Sequence, residues 1–136
     1  MNLAESETEK PFDAEQFVYV MIPAPIQPID RGELFEDKID AALAPADLGS
    51  VSGGGSSLSD PDPNGNRTIE FCGIDIDTND RDSVLAVLRV LLRDLGVPLH
   101  TELHYTKSGC KLLDTFLGHD WFVGQTRTFL HPGFDI

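Results

Sequence analysis

His100, Glu102 and His104 form the sharpest polar pattern in the chain: two imidazoles and a carboxylate at alternate positions. Residues i, i+2 and i+4 of a β-strand project from one face, so a strand over 99–105 would present all three together. Two histidines and a carboxylate suit zinc or iron and leave positions open for water or substrate. The spacing argues against one ion held by all three. Same-face strand neighbours stand roughly 7 Å apart, whereas zinc bonds are about 2.1 Å long. A polar strip facing solvent or a partner is the simpler expectation, and no metal or other cofactor is assigned.

The acidic run Asp75-Ile76-Asp77-Thr78-Asn79-Asp80-Arg81-Asp82 invites comparison with a calcium loop. Asp75, Asp77 and Asn79 match its first three ligand positions. Asp80 stands where that loop needs glycine, and Ala86 where it needs the bidentate glutamate, so helix capping explains these acids better. Gly53-Gly54-Gly55-Ser56-Ser57 lacks the lysine of a phosphate-binding loop, and no helix is expected directly after it. Cys72 and Cys110 have no partner at CxxC spacing and no setting that marks a nucleophile. Both are expected as thiols in a reducing compartment. His119 and His131 lie near aromatic residues and read as hydrogen-bonded structural histidines. No residue is assigned a catalytic role, and the balance favours a protein that is not an enzyme.

These groups need elements to hold them. Residues 1–13 read as a polar lead-in to one domain over 14–136, a size ordinary for a single domain. Residues 16–22 give a strong strand signal with Val18, Val20 and Ile22 on one side and Phe17, Tyr19 and Met21 on the other. Both faces are apolar, as in a central strand. A helix follows over 31–43, capped by Asp30 and stopped by Pro45. Residues 48–58 read as an irregular edge strand. Another strand spans 68–76, with Gly73 marking a bulge or a close backbone approach. The widest apolar helical stripe covers 80–95 and ends at Gly96 and Pro98. The strand over 99–105 then turns at Lys107-Ser108-Gly109. Residues 109–117 read either as the returning hairpin strand or as a short helix, since short apolar runs do not separate the two. The stretch from Trp121 to Phe134 is aromatic and irregular.

The order β-α-β-β-α-β predicts an α+β, ferredoxin-like, mostly antiparallel sheet with two helices on one face and a C-terminal strand or tail extension. That arrangement leaves one sheet face uncovered by helices. Phe17, Tyr19, Met21 and Phe71 are expected there with His100, Glu102 and His104, as a candidate binding face. An apolar patch needs cover, from the tail, a second copy of the chain or a partner.

A net charge of −13 disfavours nucleic acid and anionic membrane surfaces. It permits a basic protein partner, whose approach opposite charge would accelerate. No apolar run nears the roughly 20 residues of a membrane span. The polar, acidic start lacks signal-peptide character, so a cytoplasmic location is expected. Three readings follow. The first is a non-catalytic protein-binding module, for example an immunity or antitoxin-like partner of a basic toxin. The second is a small-molecule- or metal-binding enzyme using the His100/Glu102/His104 strip. The third is a homodimeric structural or regulatory module.

Overall fold

Phe17–Ile22 form the strand on which the domain is built, β1, and the alternation of its side chains decides what packs on each side. The structure, a computed structural model, describes residues 13–128. Most of the expected lead-in therefore lies outside the described residues, as do Phe129 and His131. After β1 come α1 (residues 28–43), β2 (Gly49–Leu58), β3 (Ile69–Thr78), α2 (Arg81–Asp94), β4 (Glu102–Lys107), β5 (Cys110–Phe116) and β6 (Trp121–Thr126). The six strands make one sheet in the order β2-β3-β1-β4-β5-β6, with every neighbouring pair antiparallel.

The class is the expected one, α+β with two helices and an antiparallel sheet. The sheet is wider than a four-stranded one followed by a tail. β5 and β6 are full ladder members, so residues 110–116 are strand rather than helix. Ser108 (φ 52°) and Gly109 (φ 78°) make the two-residue turn before β5, with both residues in the left-handed region that matches sheet twist.

Val18, Val20 and Ile22 pair across to Ile76, Ile74 and Cys72 on β3, and all six are fully buried. Leu103 and Tyr105 of β4 continue this face. Phe35, Ile39 and Leu43 of α1 and Val84, Leu85, Leu88 and Leu92 of α2 belong to the same apolar cluster, so both helices cover this side. Each fully buried aliphatic side chain contributes about 1.5–3 kcal/mol before entropy is counted.

The helix ends depart from expectation in one case. α1 starts at Pro28, with Gln27 as a cap that makes no side-chain bond, so Asp30 is a first-turn residue rather than the cap. Proline at the first helical position loses no hydrogen bond and has its φ preset. At Gly32–Glu36 the helix widens into a π turn. Its i→i+5 bonding brings Arg31 and Glu36 to one side, where Arg31 Nε donates to Glu36 Oε2 at 2.6 Å. The pair lies over Gly54 of β2, and a Cβ there would fall 2.8 Å from the Glu36 carboxylate. α2 follows its sequence signals closely. Asp80 Oδ1 accepts from Ser83 N at 3.2 Å, and Gly96 (φ 77°) follows the last turn.

β2 is an edge strand, as its composition suggests. Two register shifts interrupt its pairing with β3, and Asp40 of α1 accepts from Val51 N at 2.8 Å. Bulges and a side chain laid against the edge are ways to blunt an exposed ladder.

Candidate functional site

The face opposite the helices carries Phe17, Tyr19 and Met21 of β1, Phe71 and Asp75 of β3, and Glu102 and His104 of β4. The register sets this arrangement: Tyr19 lies between Asp75 and His104, and Met21 between Gly73 and Glu102. Phe17 (2% exposed) and His104 (4%) are buried, whereas Tyr19, Met21, Phe71 and Glu102 are half-buried. The Tyr19 and His104 rings stand 5.5 Å apart between centroids, tilted by 49°. His104 Nε2 pairs with Glu102 Oε1 at 2.8 Å. Being two apart on one strand, these side chains meet on one face, as the alternation requires.

His100 does not join them. β4 begins at Glu102, and His100 sits in an exposed turn before it with φ 73°. Thr101 Oγ1 donates back to Pro98 O at 2.8 Å, and His100 N donates to Phe116 O at 2.9 Å. The chain therefore turns at 98–101 instead of running straight from 99, and the expected three-residue strip is a pair. Among the described residues, no group of three His, Cys, Asp or Glu side chains is placed to hold a metal ion.

Tyr19 lies on this face with its proton held firmly. Its phenol is pushed up to about 12, first by burial and then by the nearby Asp75 carboxylate. Its ring fills the space above Gly73 that a side chain there would need. This accounts for the glycine: β3 pairs regularly with β1 through Gly73, and the close approach is by a side chain from the next strand rather than a bulge.

A second polar cluster, on the helix side, has no counterpart in the sequence reading. Asp114 of β5 has no exposed surface and accepts from Tyr105 Oη at 2.7 Å and from Gly124 N at 2.9 Å. Arg89 of α2 places both Nε and Nη2 at 2.8 Å from the other carboxylate oxygen. The β5–β6 register slips between Leu113 and Thr115, and Gly124 (φ 74°) lies in that slip, aiming its N–H at Asp114. A lone aspartate inside the apolar run Leu112-Leu113-Asp114-Thr115-Phe116 was the available signal, because a buried carboxylate requires partners.

Charge is distributed unevenly over the fold. Residues 28–80, which build α1, β2 and β3, hold twelve acidic and three basic side chains, net −9. Ten of those twelve acids are exposed. Residues 81–128, which build α2, β4, β5 and β6, hold five acidic and six basic side chains, net +1. Because β2 and β3 lie together at one edge beneath α1, the sequence partition is also a spatial one. The domain has an acidic flank and a near-neutral one.

Compared with protein-family models, with curated proteins and with solved structures, the chain matches none.

Proposed function

We propose that this domain is a non-catalytic protein-binding module that meets a basic partner through the flank formed by α1, β2 and β3. The observation that carries the reading is the charge partition: a net −9 on one side of a domain whose other side is close to neutral. A field of that shape both attracts and orients a cationic partner during diffusional encounter, whereas a uniform acidic coat would attract it without orienting it. The buried polar groups fit a structural role as well. Asp114 has its oxygens taken by Tyr105, Gly124 and Arg89, and Glu102 and His104 are paired with each other. An immunity or antitoxin-like protein that holds a basic toxin is the kind of binder this charge suits.

Two finer statements belong to the same proposal. The segment from β1 to β4 is read as a ferredoxin-like unit extended by a hairpin strand and β6, supported by β1 lying between β3 and β4. The cytoplasm is the proposed location, supported by two free thiols, one of them the exposed Cys110.

Two variants with the same change in net charge test the binding flank. Glu33→Lys with Asp37→Lys reverses charge on α1, whereas Asp94→Lys with Asp120→Lys does so on the other flank. The intact chain, immobilised in a lysate of the cells that make it, should retain a basic protein in a salt-sensitive manner. The α1 variant should lose that protein and the second variant keep it. No retained protein, or equal behaviour of the two variants, would overturn the reading.

A further inference from the structure

A cavity of about 320 Å³ opens on the helix side between α2 and the β4–β6 strands, away from the acidic flank. Ligand pockets span roughly 300–1,000 Å³, so this one has room for a small molecule only. Leu85, Leu112 and Val123 give it apolar walls, while Arg89, Lys107 and Asp82 supply the charged groups.

Arg89 is fixed before any ligand arrives. Two of its N–H groups are forked onto one oxygen of Asp114, whose other oxygen is held by Tyr105 and Gly124. A guanidinium has five N–H donors in one plane, so three remain, and the plane is already oriented. Lys107 is half-exposed and meets Asp82 only at 3.5 Å, which leaves its ammonium free to swing toward the cavity. Among the described residues, Asp82 is the one anion lining it, and it is shared between Lys107 and Arg81, the latter at 3.2 Å. In a chain of net charge −13, the hollow is bordered by two cations, Arg89 facing Asp114 and Lys107 facing Asp82, so it is locally close to neutral rather than acidic.

We propose that this cavity binds a small organic carboxylate, with the anionic group between Arg89 and Lys107 and the apolar body against Leu85, Leu112 and Val123. Charge-assisted bonds from an oriented guanidinium give the site its preference for carboxylate over a neutral group of the same shape. The walls give it a preference for an anion with an apolar body over a bare one.

Benzoate is a suitable probe, titrated into the isotope-labelled whole chain and followed by amide chemical shifts. Saturable changes are expected at Arg89, Leu112, Val123 and Gly124. Benzamide, which keeps the ring and lacks the charge, and acetate, which keeps the charge and lacks the ring, should each bind at least about tenfold more weakly. Lys107→Ala should weaken benzoate by about tenfold. Val123→Glu, at a half-exposed position, should abolish binding by placing a carboxylate in the hollow. The proposal is overturned by benzoate shifts that stay linear or fall elsewhere on the chain. It is equally overturned by benzamide matching benzoate, or by Val123→Glu binding as well as the native chain.

Discussion

Tyr19, on β1, occupies the space that a side chain on Gly73 of the neighbouring β3 would need. The two residues sit on the same sheet face, two register positions apart, and the phenol covers the glycine backbone. Overpacking a filled site costs typically about 1–3 kcal/mol. Gly73→Ala is therefore expected to lower stability by about that amount in urea unfolding. On a Tyr19→Ala background the same change should cost much less, with a coupling of about 1 kcal/mol or more. Strict additivity of the two substitutions would show that the ring is not what keeps position 73 small.

The Asp114 cluster sets up a graded series. Removing one partner of a buried ion pair leaves the other uncompensated, which costs about 3–5 kcal/mol. Arg89 is 27% exposed and can regain some water, so Asp114→Ala should fall toward the lower end of that range. Tyr105→Phe removes a single hydrogen bond to a charged group, a loss of about 1.5–3 kcal/mol. The expected order of unfolding midpoints is native, then Tyr105→Phe, then Asp114→Ala. Asp114→Ala as stable as the native chain would remove the cluster from any account of this fold.

Glu15 joins the start of the described chain to the β4–β5 turn. Its carboxylate accepts from Ser108 N at 2.8 Å and from Gly109 N at 2.9 Å, and pairs with Arg81 at 3.1 Å. The turn amides, and then the Arg81 charge, hold its pKa below the ordinary carboxylate value. A depressed carboxylate stabilises the fold above its ordinary pKa, and that contribution fades as pH falls through the depressed one. Glu15→Gln should thus speed hydrogen exchange at Ser108 and Gly109 near neutral pH and leave the α2 amides unchanged. Acidifying the native chain should release the same two amides, and exchange indifferent to both treatments would show the turn to be held otherwise.

Most of this architecture is written in local patterns. The β-branched and aromatic run at 16–22 and the apolar stripe over 80–95 need only their own neighbours, and a strand and a helix appear there. The His100 position was misleading because alternation continues from Leu99 through Tyr105 although the backbone does not. The turn there depends on Thr101 bonding back to Pro98 and on Phe116, fifteen residues further along the chain, which donates its N–H to Thr101 O and accepts from His100 N. The Asp114 cluster draws on three other elements, with Tyr105 of β4 and Gly124 of β6 nine and ten residues away and Arg89 of α2 twenty-five, and no local pattern marks these as partners. Charge partition lies between these cases. The counts are readable directly, but their separation in space follows only from β2 and β3 sharing one sheet edge.

The two tyrosines of the chain lead to an expectation at high pH. Tyr19 is raised from 10.0 to about 12 by burial and by Asp75. Tyr105 is raised as well, first by burial and then by the hydrogen bond it donates to Asp114. A phenol whose pKa is higher in the folded than in the unfolded chain contributes fully below the unfolded value. Between the unfolded value of 10.0 and about 12, the unfolded chain loses its phenolic protons while folded Tyr19 retains its own, so stability falls as pH rises. Below 10.0 both states keep both protons, and the tyrosines make stability independent of pH. Tyrosinate absorbance should therefore appear late and together with loss of the far-ultraviolet signal of the sheet. In Tyr105→Phe that joint transition should persist through Tyr19, beginning from a less stable fold. Tyrosinate forming near the ordinary value with the sheet signal intact would mean that both hydroxyls reach water, and that neither Asp75 nor Asp114 governs them.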